Sequence, residues 1–76
     1  MDSEQDWVDR TKRFMKAELK RRDITYEELA KRLSEMGINE TKSSIASKLS
    51  RGGFTAAFFL ASMKSVGCTT IRIDDL

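Results

Sequence analysis

The chain has 76 residues, 34% of them charged, with four Gly, no Pro, one Cys, no His and a net charge of +2. That length makes one domain, which buries only roughly 60–65% of its unfolded surface and so has a thin core. The absence of Pro and the low Gly count argue against disorder and against a turn-rich β fold, and no apolar run approaches the roughly 18 residues of a membrane span. The start, Met1-Asp2-Ser3-Glu4-Gln5-Asp6, is acidic and unlike a secretory signal, so a cytoplasmic protein without a membrane partner is expected.

The charges are segregated. Residues 1–9 carry four acids and no base, and Asp74 and Asp75 close the chain. Residues 10–72 hold all fourteen Lys and Arg against six acids, a balance of +8. Such a basic body between acidic ends makes nucleic acid a candidate partner.

Taken in order, the first helix is predicted over about 4–22, capped by Ser3, with Glu4, Asp6 and Asp9 near the positive end of its dipole. Trp7, Val8, Phe14, Met15 and Leu19 form its apolar face. Lys20-Arg21-Arg22 lie in its last turn, either as a solvated cationic helix end or as phosphate contacts. Asp23-Ile24 is a short break.

The second helix, about 25–36, opens on Thr25 with Glu28 three residues on, a capping-box spacing, and Ile24 is placed to staple onto Leu29. Tyr26, Leu29, Ala30, Leu33 and Met36 share a face, and Gly37 supplies a left-handed cap. After the turn Ile38-Asn39-Glu40, with Asn39 or Thr41 as the cap, a third helix is predicted over about 41–51. Ile45 and Leu49, with Ala46 beside them, make a narrow apolar stripe. Lys42, Ser43, Ser44, Ser47, Lys48 and Arg51 lie off it. Ser and Thr are weak helix formers, so their density here sets local propensity against pattern, as happens at functional surfaces and also on ordinary exposed helices.

Gly52-Gly53 breaks the chain, and Thr55 caps a fourth helix over about 55–66, ended by Gly67. Its predicted apolar face is Ala56, Phe59, Leu60, Met63 and Val66, broadened by Phe58, with Phe54 stapling to Phe59. A helix apolar nearly all round is either a bundle core or a surface with a partner chain. Cys68 reads as a small buried apolar residue. Thr69-Thr70-Ile71-Arg72-Ile73 alternates and is rich in β-branched residues, which predicts a short strand over about 69–73. An unpaired strand is unstable in water, so pairing with a second copy is expected. The predicted homodimer uses Phe58 of the last helix together with Thr69, Thr70, Ile71, Arg72 and Ile73.

Catalysis is hard to build from these residues. There is no His, Glu27-Glu28 and Asp74-Asp75 are sequence neighbours that point to different faces or dangle at a terminus, and Gly52-Gly53 lacks the Lys-Ser/Thr of a phosphate loop. One Cys without His forms neither an internal disulfide nor a Cys/His metal site. The expectation is a protein that is not an enzyme, with no cofactor, no metal and no small-molecule ligand.

Thr25, Glu28-Leu29-Ala30 and Leu33, followed by Ile45-Ala46-Ser47-Lys48-Leu49-Ser50-Arg51-Gly52, resemble the helix-turn-helix of the phage-repressor-like (Xre/Cro-type) DNA-binding family. Three features depart from it: Tyr26 stands where the family usually has Gln, the turn is longer, and Glu40 stands at the mouth of the recognition helix. The whole chain also resembles a small bacterial domain family of unknown function, through Lys16-Ala17-Glu18-Leu19-Lys20-Arg21-Arg22 and Arg51-Gly52-Gly53-Phe54-Thr55-Ala56-Ala57-Phe58. The first resemblance implies an all-α, four-helix, lambda-repressor-like domain acting as a small transcriptional regulator on double-stranded DNA. On that reading Thr41, Lys42, Ser43, Ser44 and Ser47 meet base edges in the major groove. Thr25, Tyr26, Lys48 and Arg51 then meet phosphates. The alternative is a non-enzymatic interaction module that keeps the fold without binding DNA.

Overall fold

The structure, a computed structural model, describes residues 3–76; Met1 and Asp2, part of the acidic start, lie outside the described residues. It has four helices, α1 (Glu4–Arg21), α2 (Tyr26–Glu35), α3 (Lys42–Arg51) and α4 (Ala56–Ser65), and a terminal 3₁₀ turn, Ile73–Asp75. Every helix starts at a hydroxyl. Ser3, Thr25, Thr41 and Thr55 each sit in extended backbone and accept a hydrogen bond from the N–H three residues on, satisfying one orphan donor of the first turn.

The helix ends follow an equally local rule. Asp23, Gly37, Gly52 and Gly67 all have positive φ, between 57° and 90°. After α1, α2 and α4 the chain forms the same double-bonded cap, in which Ile24, Ile38 and Cys68 donate to the carbonyls of Leu19, Leu33 and Met63. In each case an apolar residue just past the helix folds back over an apolar residue in its last turn. Asp23 takes the left-handed conformation without being glycine, which a short polar side chain tolerates.

The core is Met15 and Leu19 from α1, Leu29 and Leu33 from α2, Ile45 and Leu49 from α3, and Phe58, Phe59 and Met63 from α4, closed by Val66 and Cys68. Helix α2 packs on both α3 and α4. Phe14 meets Phe59 edge-on at 6.2 Å, and Phe54 tilts onto Phe58 at 5.5 Å, favourable arrangements for ring quadrupoles.

Two sequence expectations are corrected. No strand occurs among the described residues: 69–72 lack regular structure and Ile73–Asp75 forms the 3₁₀ turn. The β-branched alternation loses because no neighbouring strand offers a ladder. Backbone donors of Asp75 and Leu76 instead bond to Arg72 and Ile73, while Ile71 packs on the core. The two-stranded ribbon expected to join two copies therefore has no strand to form it. The second correction is the face of α4. Ser62 is fully buried while Leu60 is 57% exposed, so the helix is rotated from the expected apolar stripe toward Phe58, Phe59, Ser62 and Met63.

Gly52 carries two constraints at once, φ of 71° and the approach of α1. A Cβ added there would lie 2.6 Å from Cγ1 of Val8. Gly52→Ala is expected to cost about 1–3 kcal/mol through left-handed strain and overlap. Gly53, with nothing within 4 Å of an added Cβ and no positive φ, supplies the contrast. Gly53→Ala should stay within about 0.5 kcal/mol. Urea unfolding of the two variants checks this, and equal midpoints would contradict it.

Candidate nucleic-acid interface

Helix α3 is fixed from its first residue. The Thr41 hydroxyl accepts from the Ser44 N–H at 3.0 Å, and the Ser44 hydroxyl accepts from the Thr41 N–H at 2.8 Å, a reciprocal capping box. The Ser44 hydroxyl lies 2.6 Å from Oε1 of Glu40 and donates to it. The other oxygen of Glu40 takes the ammonium of Lys48, two turns along the helix, and that ammonium lies 4.7 Å above the ring of Phe58. Thr41, Ser44, Glu40, Lys48 and Phe58 thus form one chain of contacts tying the start of α3 to α4.

This network redistributes the expected DNA contacts. Ser44 is occupied by its cap and by Glu40, and Lys48 is half-buried and paired. The Glu40 side chain is only 8% exposed, so its charge is spent inward and not presented at the mouth of α3. What faces solvent on α3 is Lys42, Ser43, Ala46, Ser47, Ser50 and Arg51, a surface without an acid. Thr41 is exposed at its edge. From α1, Lys12 reaches across and donates to the carbonyl of Ser50 at 3.4 Å, adding a cation where the helix dipole is negative, beside Arg51. Lys12 and Ser50 were not among the sequence-derived contacts. Thirty-eight residues separate them, and no local pattern reports such a bond.

The phosphate contacts expected at α2 are less well placed. Thr25 is exposed but serves as the N-cap of α2, and Tyr26 packs partly against the core. The first turn of α2 already carries Glu27 and Glu28, whose charges occupy the positive end of the dipole where an anion would sit. The connection between α2 and α3 runs over residues 36–41, longer than the three- to four-residue turn of the compact motif.

The residues expected to dimerise are dispersed. Phe58 is 6% exposed and belongs to the core, Ile71 is half-buried, and Thr69, Thr70, Arg72 and Ile73 are exposed.

Burial works to raise the pKa of Glu40, but hydrogen bonds from Lys48 and Ser44, together with the Lys48 charge, outweigh it and hold the carboxyl below its ordinary value. A carboxyl whose pKa falls on folding stabilises the native state above the unfolded value, about 4.3 for Glu, and loses that contribution as pH drops through the lower folded value. Wild-type stability should therefore fall as pH is lowered from about 5 to 3 more steeply than that of Glu40→Gln, measured by urea unfolding at each pH. Parallel pH profiles would remove Glu40 from the stabilising network.

Among the described residues no group of acids or Cys is spaced to hold a metal ion, and no helix is long and apolar enough to cross a membrane. No curated protein and no solved structure matches the chain. Residues 7–71, which run from Trp7 in α1 to Ile71 beyond α4 and so take in all of α2 and α3, match the family model described as a domain of unknown function (DUF6471), and the chain belongs to that family.

Proposed function

We propose that this domain binds duplex DNA through the exposed face of α3 and serves as a small transcriptional regulator. One observation carries the reading: that face presents Lys42, Ser43, Ser47, Ser50 and Arg51 with no acid among them, while the carboxylate of Glu40, just before the helix, is neutralised from within. The resemblance of residues 25–52 to the phage-repressor-like helix-turn-helix supports it. So does the +8 balance of residues 10–72. In this reading Lys42 reaches guanine acceptors, Ser43 and Ser47 bond to base edges with weak discrimination, and Arg51 with Lys12 contacts phosphate.

The test is fluorescence anisotropy with a random duplex over a salt series. Binding by this face makes log affinity fall linearly with log salt, with a slope of about −0.9 per phosphate neutralised. A chain that fails to bind at about 50 mM salt, or whose binding ignores salt, rules the reading out.

A further inference from the structure

We infer that the outer face of α4 is a two-fold interface between two copies of this chain, distinct from the α3 surface and independent of any nucleic acid. Helix α4 has a second apolar side that none of the described residues covers. Ala56, Ala57 and Leu60 are exposed along it and Ala61 is half-exposed, with Lys64 its one charge. Leu60 stands out of it at 57% exposure. Beside Leu60 lies a notch of about 280 Å³ bounded by Met63, Lys64, Cys68, Thr69 and Ile71. A projecting leucine beside a notch large enough for one, walled by the apolar side chains of Met63, Cys68 and Ile71 as well as by Lys64 and Thr69, can be self-complementary, which is what an isologous contact requires, since each copy then gives and receives the same knob.

Charge selects the partner and the direction. Leu60 is the fifth residue of the ten in α4, so a two-fold axis beside it sets the helices antiparallel. Lys64 of one copy then faces the Ala56 end of the other, about 12 Å along the helix from its own Lys64. That end is bordered by Glu4 of α1, which lines the same groove as Thr55 and Ala56. Glu4 and Lys64 are both exposed and make no ion pair among the described residues. The antiparallel pairing brings the Glu4 carboxylate of each copy to the Lys64 ammonium of the other, twice per dimer. Alanine at 56, 57 and 61 lets the two backbones approach closely. The patch is small, so the dimer falls in the weak class of interfaces and forms at micromolar concentrations or above.

Sedimentation equilibrium of the full chain without DNA tests this, over about 10–500 μM. The expected mass rises with concentration from 8.7 kDa toward twice that value. Leu60→Glu, at a solvent-facing site, keeps its unfolding midpoint in dilute solution yet stays monomeric throughout. Lys64→Glu weakens the dimer roughly ten-fold, and Glu4→Lys combined with it restores the wild-type constant, which a merely sticky surface would not do. A wild-type chain that remains monomeric at about 500 μM, a Leu60→Glu variant that associates like wild type, or a charge reversal without rescue would each overturn the inference. Because no DNA is present, these outcomes stand apart from the fate of the α3 reading.

Discussion

Arg22→Ala is expected to lower the unfolding midpoint by roughly 10–20 °C, a larger loss than its position at an exposed helix end suggests. Glu18 is 4% exposed, and such a carboxylate is tolerated only when its charge and lone pairs are met. Arg21 and Arg22 both supply it, Arg22 through Nε at 3.1 Å. Arg22 also donates through its other arm to the carbonyl of Val66 at 3.1 Å, forty-four residues away. Arg32 repeats the arrangement, paired to Glu28 at 2.9 Å and donating to the carbonyl of Ser65 at 3.0 Å. Two guanidinium groups, Arg22 just past α1 and Arg32 of α2, therefore close the C-terminal end of α4, where the dipole is negative and carbonyls lack helical partners.

The magnitude follows from what each truncation strands. Arg22→Ala leaves Glu18 with Arg21 alone, whose side chain is mostly in solvent, and removes the long-range donor at Val66. Losing one partner of a buried carboxylate costs about 3–5 kcal/mol, and the partial exposure of Arg22 with the surviving Arg21 brings the expectation to about 2–3 kcal/mol. A domain of this size is more stable than its unfolded state by about 4–11 kcal/mol, and each kcal/mol moves its midpoint by about 4–8 °C. Arg32→Ala should cost less, about 1 kcal/mol, because Glu28 is half-exposed and can be hydrated. Glu18→Gln combined with Arg22→Ala separates charge from hydrogen bonding: the double variant should be more stable than the sum of the single losses predicts. Thermal unfolding followed by circular dichroism measures all four. An Arg22→Ala midpoint within 3 °C of wild type would refute the clamp.

That clamp marks the limit of what the sequence discloses. Helix starts were legible because Ser3, Thr25 and Thr55 each cap within three residues, with the start of α3 left between Asn39 and Thr41, and Gly37, Gly52 and Gly67 showed three of the ends. Asp23 hid the fourth, since aspartate at a break signals a turn without specifying a left-handed one. The orientation of α4 was not legible because Ala56-Ala57-Phe58-Phe59-Leu60-Ala61 is apolar on all sides, and a face cannot be read from a pattern with no polar residues in it. Only tertiary packing decides that Phe58 turns in, against Phe54 and beneath Lys48, and Leu60 out. The strand over 69–73 was a propensity argument with no partner to complete it. At the candidate interface, Lys42, Ser43, Ser47 and Arg51 emerge exposed as expected, but the inward turn of Glu40 was invisible. A carboxylate before a recognition helix reads as an obstacle to phosphate until its Lys48 partner, eight residues on, is seen beneath it.

The pairing of Glu40 with Lys48 divides the cations of α3 into two kinds, and DNA binding should register the division. Lys42 and Arg51 face solvent without an ion-pair partner among the described residues, so Lys42→Ala with Arg51→Ala should weaken duplex binding roughly ten- to hundred-fold at low salt and reduce the salt slope by about 2. Lys48→Ala should barely alter affinity, because its charge is already offset, yet should destabilise the fold by leaving Glu40 confined with one donor fewer. Glu40→Gln does the opposite. It removes the counter-charge, frees the Lys48 ammonium toward solvent, and should raise affinity several-fold while steepening the salt slope by about 1. A dispersed electrostatic attraction would make all three cations equivalent and give Lys42→Ala, Lys48→Ala and Arg51→Ala the same loss, and that equality would dismiss α3 as the reading element. Unequal losses in the stated order, with a gain from Glu40→Gln, would mean that α3 presents two of its cations to DNA and retains the third, with its carboxylate, to anchor the helix that carries them.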